Sequence, residues 1–138
     1  MRTGIIIILC ILIEHVSRFF FAETLSYNTG AAFGIFGDSP VFILILSGTA
    51  CVILLCVLSF MNIDAFMRAG LAVMSGGALS NLIERIFLGC VIDWIPFPFW
   101  FDLNFNLADV EISLGAFIVC LSFMIEKDSP GKHSGELL

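Results

Sequence analysis

From Val41 to Met61 the chain is apolar with no charged side chain, a run long enough to cross the roughly 20-residue hydrocarbon core of a bilayer as one helix. Three further apolar stretches are interrupted by polar residues. The spacing predicts helices over about Thr3–Ala22, which carries Glu14, His15 and Arg18; Ala65–Phe87, which ends in Asn81, Glu84 and Arg85; and Ala108–Ile125, which begins with Asp109 and Glu111. Backbone N–H and C=O groups in lipid must pair within their own segment, so each stretch is expected to be helical rather than extended. In the third helix Gly76 and Ser80 form a small-xxx-small pair that permits close helix approach. The segment Val91–Leu107 places Trp94, Phe97, Phe99, Trp100, Phe101 and Phe105 around Pro96 and Pro98. It is too kinked for a helix and too aromatic for bulk water, and is expected at the membrane surface. The pattern therefore predicts an all-α integral membrane protein: four transmembrane helices with a short extracytoplasmic interfacial region. Residues 1–126 are expected to form one domain, and the Ser-, Pro-, Gly- and Lys-containing residues 127–138 a disordered cytoplasmic tail. The basic start and short apolar run are like those of a secretory signal, but no small-x-small site follows and Leu9 precedes Cys10, so the run is expected to stay as an anchor.

Composition identifies the solvent. With 59% hydrophobic and 13% charged residues, and a mean hydropathy of +1.07, a 138-residue chain has more apolar surface than a soluble core of its size can hide. The net charge of −6 comes from acids scattered over loops and helix ends, with no basic patch to meet phosphate, which argues against nucleic acid. Cys10, Cys51, Cys56, Cys90 and Cys120 form no CxxC and lie mostly in apolar runs, so neither a metal site nor a disulfide framework is expected. Arg2, Arg68, Lys127 and Lys132 fall on one side of four crossings, predicting that side, with both termini, to be cytoplasmic. Glu23, Asp38, Asp93 and Asp102 fall on the other, so the acidic face points outward.

Ionisable residues inside membrane segments cost roughly 2.5–3.5 kcal/mol each and need partners or a function. Glu14 and Arg18, four apart on one helical face, are placed to neutralise each other; Asn81, Glu84 and Arg85 share a face in the same way. For both groups a structural ion pair or hydrogen-bond cluster competes with a catalytic role. Asp93 and Asp109 differ, since each stands where an apolar segment meets the outer interface with no basic sequence neighbour. Two carboxyl groups brought together in a partly dry site cannot both ionise, so one retains a proton while the other stays charged. Such a pair can activate water and polarise a peptide carbonyl. The competing reading makes them ordinary turn and helix-start residues, with Asp109 in a first helical turn.

Three ordered blocks add to this reading: Asn28-Thr-Gly-Ala-Ala-Phe33, Gly76-Gly-Ala-Leu-Ser-Asn-Leu-Ile-Glu-Arg85 continuing through Gly89-Cys-Val-Ile-Asp93, and Phe105-Asn-Leu-Ala-Asp109. In order and spacing they resemble the signature blocks of the lipoprotein signal peptidase (signal peptidase II) family. The resemblance implies a membrane aspartic endopeptidase that cuts diacylglyceryl-modified prolipoproteins before the lipid-bearing cysteine, alone in the inner membrane and without metal or organic cofactor. It implies Asp93 and Asp109 as the catalytic pair, and Asn28, Gly30, Asn81, Arg85, Asn106 and Ala108 as residues that shape or bind in the site. Glu14, Arg18 and Glu84 would be polar support. The chain departs from the family pattern at Glu14 and Arg18, where Asp and Lys are usual, at Glu84 in place of Asp and at Ser80 in place of Gly. Its Phe21–Asn28 connection is also shorter than the usual outer segment, which adds strands that cradle substrate. These departures motivate the alternative of a non-cutting relative that binds lipopeptides or acts as a scaffold. A small transporter is a third reading, for which the sequence offers no internal symmetry.

Overall fold

The computed structural model describes residues 2–21, 23, 25–30, 39–97 and 103–127. The expected tail beyond Lys127, the Pro98–Asp102 part of the aromatic segment and the end of the first block after Gly30 lie outside the described residues. Four helices carry the chain: α1 (Arg2–Phe21), α2 (Pro40–Phe60), α3 (Ala65–Leu88) and α4 (Leu107–Lys127). All four are long and apolar enough to cross a membrane. Their bounds fall within about two residues of those expected from the apolar runs. Local chemistry sets the ends. Pro40 opens α2, where a missing N–H costs nothing. Asp64 caps α3, its Oδ1 accepting from the N–H groups of Phe66 and Met67 at 2.7 and 3.0 Å. Gly89 closes α3 at φ 74°, a left-handed conformation that glycine adopts without a Cβ clash, and its N–H returns to the Arg85 carbonyl.

Helix α3 is the central element, packed against α1, α2 and α4. It approaches α1 and α4 closely where glycines stand in the contact. Gly76 lies against Cys10 of α1, and Gly77 against the Ala108 carbonyl of α4, so neither position has room for a Cβ. Lower on the same interface, a Cβ at Gly115 of α4 would lie 2.6 Å from the Gly70 oxygen and the Met74 nitrogen. The small-residue pair read from the sequence thus serves the α1–α3 contact at Gly76. Ser80, its other member, is buried, with an Oγ that has no hydrogen-bond partner among the described residues.

The two ends of the bundle are held differently. At the end bearing the α2–α3 turn, Leu58, Met67 and Leu71 pack with Ile7, Leu54, Val57, Ile63 and Val119. There Arg68 donates to the Leu58 and Met61 carbonyls at the end of α2, and Ser122 of α4 donates to Asp64 Oδ2 at 2.9 Å. At the opposite end the connections form strands: β1 (Ser26–Asn28), β2 (Val91–Asp93), β3 (Ile95–Phe97) and β4 (Leu103–Phe105). Antiparallel β1 and β2 pair Ser26 with Asp93 and Asn28 with Val91; β3 and β4 pair Ile95 with Phe105 and Phe97 with Leu103. The helical class holds with this addition. The helical reading had no place for strands, and the short Phe21–Asn28 connection still supplies one, because three residues suffice to pair with β2. Large apolar side chains such as Ile8, Leu12, Phe19, Val52 and Phe117 remain exposed on the outer faces, where lipid would cover them.

Candidate active site

The half of the bundle nearest the strands has a polar interior. Glu14, Ser80, Asn81, Glu84, Asp93, Asn106 and Glu111 are all buried there, and most are paired. β2 delivers Asp93 and the first turn of α4 delivers Asp109. Asn106 precedes α4 and caps it reciprocally: its Oδ1 accepts from Asp109 N at 2.9 Å, while its own N–H donates to Asp109 Oδ2 at 3.3 Å. This is a capping box built from Asn and Asp. The helix-start reading of Asp109 is therefore correct without exhausting its role, because the box also holds the carboxylate still.

Amide side chains connect the two aspartates. Asn106 Nδ2 donates to Asp93 Oδ1 at 3.0 Å and to Asn81 Oδ1 at 3.1 Å, and Asn81 Nδ2 donates to Asp109 Oδ1 at 3.0 Å. Asn28 Nδ2 donates to Asp93 Oδ2 at 3.1 Å, and its own Oδ1 accepts from Gly30 N at 2.9 Å. Both Asp93 oxygens thus have donors, which favour the charged form. Burial outweighs them: loss of water, with the Asp109 charge adding to it, lifts the Asp93 carboxyl to about 6 against Asn28, Asn106 and Arg85, which act to lower it. Arg85 is oriented by Nη1 on the Asn81 carbonyl and Nη2 on the Gly30 carbonyl at 3.0 Å. Ala108 contributes its backbone. Its N–H donates to Glu14 Oε2 at 3.1 Å, and with no exposed surface it allows α3 to pack at Gly77.

The expected partnership within α1 is not formed. Arg18 reaches across to α3 and pairs with Glu84 Oε1, while Glu84 Oε2 accepts from Ile92 N at 2.8 Å, immediately before Asp93. Glu14 instead spans the site, Oε1 accepting from Trp94 Nε1 at 3.2 Å and Oε2 from Ala108 N. The helical spacing shows a shared face but not that α3, β2 and α4 offer better-placed donors. In both cases the carboxylate grips a residue adjacent to one of the aspartates. In the sequence Trp94 stands as one interfacial aromatic among several; its indole N–H, a donor that needs a partner when buried, is the signal that points to Glu14.

Asn28, Asn81, Arg85, Asp93 and Asp109 all face a cavity of about 820 Å³. Its remaining wall is largely apolar and includes Leu54 of α2, Met74 of α3 and Ile112 of α4. Among the described residues no group of three or more His, Cys, Asp or Glu side chains is arranged to hold a metal. The fold and site define a class: a multi-pass helical membrane protein with two aspartates on the wall of an apolar cavity. The family described as Signal peptidase (SPase) II matches residues 4–125, and the chain belongs to that family. A lipoprotein signal peptidase of Moorella thermoacetica is 33% identical over 115 residues, 83% of this chain and 75% of the relative. One from Caldanaerobacter subterraneus is 36% identical over 104 residues, 75% and 71% of the two chains, and one from Pseudomonas aeruginosa is 35% identical over 117 residues, 79% and 69%. Among solved structures, a bacterial membrane enzyme determined in meso at 2.3 Å superposes with a TM-score of 0.82 over 95% of this chain and 92% of that one, at 20% identity. A second, at 1.9 Å, gives 0.75 over 89% and 92%, at 22% identity. These two establish the likeness of fold.

Proposed function

We propose that this chain is an aspartic endopeptidase of the inner membrane that removes signal peptides from diacylglyceryl-modified prolipoproteins, with Asp93 and Asp109 as its catalytic pair. The observation that carries the reading is the amide network that holds both carboxyl groups on the wall of an apolar cavity. A substrate anchored by acyl chains can lay those chains along the Leu54 and Met74 side and present its peptide bond to the aspartates. Covering the cavity removes more water, which raises Asp93 further above its ordinary range and keeps one proton on the pair.

With one carboxyl ionised and one protonated, water attacks the peptide carbonyl carbon as the carboxylate takes its proton. The protonated partner donates to the carbonyl oxygen, giving a tetrahedral diol. Collapse breaks the C–N bond: a diol hydroxyl gives its proton to the ionised carboxylate as the amine nitrogen takes one from the protonated partner, and the pair regains its single proton. The products are a signal peptide ending in a carboxylate and a lipoprotein beginning with its lipid-bearing cysteine. Asn28, Gly30, Asn81, Arg85, Asn106 and Ala108 hold and orient this machinery. Arg85, fixed by two carbonyls at the cavity edge, also offers positive charge to the substrate backbone. Glu14, Arg18 and Glu84 fix the segments that bear the aspartates. The aspartates face outward and both termini lie in the cytoplasm, following the basic residues, and the chain works as a monomer among membrane lipids.

The test is cleavage of a diacylglyceryl-modified precursor by the purified protein, beside Asp93→Asn and Asp109→Asn. The parent is expected to cut before the lipidated cysteine and each variant to lose at least about 10³-fold in rate, on the scale of removing an acid–base group. A folded parent that binds the precursor and never cuts it would overturn the proposal in favour of a lipopeptide binder.

A further inference from the structure

Glu111 is buried in α4, two residues beyond Asp109, and takes no part in the chemistry above. It stands at 8% exposure inside the membrane-crossing segment, and its Oε2 has no hydrogen-bond partner among the described residues. The groups that face it from the packed elements are known. From α1 come the Cys10 thiol and the carboxylate of Glu14, both near enough to act on the Glu111 carboxyl. From α3 comes Gly77, whose missing side chain leaves room for the Glu111 Cβ. The basic groups of this half of the bundle are engaged elsewhere: Arg18, with His15 nearby, on Glu84, and Arg85 on the Asn81 and Gly30 carbonyls beside the two aspartates.

A carboxylate in this position would be buried, without a cation partner among the described residues and facing a second carboxylate, a combination that burial penalises and one proton relieves. The proton's place follows from the donors. Both Glu14 oxygens already accept N–H bonds, from Trp94 Nε1 and Ala108 N, and the latter lies in the first turn of α4, where negative charge is favoured. Among the described residues Glu111 has no N–H donor. We infer that Glu111 is a proton-bearing positioning residue: it stands as a neutral carboxylic acid in the contact between α1 and α4, and so leaves Glu14 as the single ionised clamp between Trp94, which follows Asp93, and Ala108, which precedes Asp109. Deprotonating Glu111 sets two like charges against each other across that contact and loosens the clamp on both sides of the site. The inference deepens the peptidase reading, and its test needs no turnover, so the two can fail separately.

The experiment uses the full-length protein in detergent with Trp100→Phe, leaving Trp94 as the one indole. Infrared spectra at neutral pH are expected to contain a protonated carboxylic-acid band that Glu111→Gln removes and Asp93→Asn leaves in place. As pH rises, loss of that band is expected to coincide with a red shift of Trp94 emission, and Glu111→Gln, the uncharged near-isostere, abolishes that shift. Glu111→Ala serves as the second assignment variant should the glutamine form fail to fold. A neutral-pH band that survives both Glu111→Gln and Glu111→Ala undiminished, including one lost only in Asp93→Asn, the lack of any such band, or a Trp94 shift that persists without the Glu111 acid would overturn the inference.

Discussion

Asp93 is a buried acid whose environment works against its charge, and that conflict has a cost that can be measured. Its carboxyl is raised to about 6 from an ordinary value of 3.8, so the folded state binds the proton more tightly than the unfolded chain does. The sign follows: this group favours the fold fully below about pH 4, and the advantage is lost as pH rises through 6. By pH 7 the loss is of the order of 2 kcal/mol after allowing for water in the open cavity. Thermal unfolding in detergent should therefore show the parent losing more stability between pH 4 and 7 than Asp93→Asn does. Equal pH slopes would contradict the electrostatic account. Asp109→Asn should lower the Asp93 value, since the Asp109 charge helps to raise it; carboxyl carbon shifts of labelled aspartate would record the direction. The sequence made both residues legible as acids at an apolar boundary. It did not reveal the capping box at Asn106, because a reciprocal cap requires the helix to begin where it does.

At the scale of elements, α3 and its neighbours are held by absence of side chains as much as by their presence. Gly115→Val would drive its branched side chain into the α3 backbone near Gly70 and Met74, and should cost about 1–3 kcal/mol, read as a fall in melting temperature. Gly48→Ala in α2, where a Cβ would meet nothing within 4 Å, is the matched control and should be near neutral or slightly stabilising. The α1–α3 ion pair tests another kind of contact. Arg18→Ala leaves Glu84 buried with one N–H donor, and a loss of about 3–5 kcal/mol is expected. Glu84→Gln in the same chain should recover part of it, which a double-mutant cycle measures. The apolar runs were enough to locate all four helices. They were not enough for the strand pairs, whose three-residue length is too short for an alternating pattern to stand out, nor for the choice of Arg18 between Glu14 and Glu84.

Across the whole molecule, two ends with different chemistry follow from one bundle. The end with Asp64, Arg68 and Ser122 ties helix termini together through caps, while the end with the strands collects the aspartates, amides and Trp94 around the cavity. Cysteine substitution at Arg2 or Asn62, in a cysteine-free background, should be labelled only from the cytoplasmic side, and at Asn104 only from the opposite side. The reverse pattern would contradict the proposed orientation. By itself the sequence determined that the solvent is lipid, that four helices cross it, and that two aspartates stand where apolar segments meet the interface, because hydropathy and element length are local properties of the chain. Only the tertiary structure decided which polar groups meet: Glu14 with Trp94 and Ala108, Arg18 with Glu84, and Asn106 between both aspartates. Hydrogen bonds require distances of about 3 Å between groups far apart in the chain. Helical periodicity gives the face a residue occupies, and only packing gives what stands opposite.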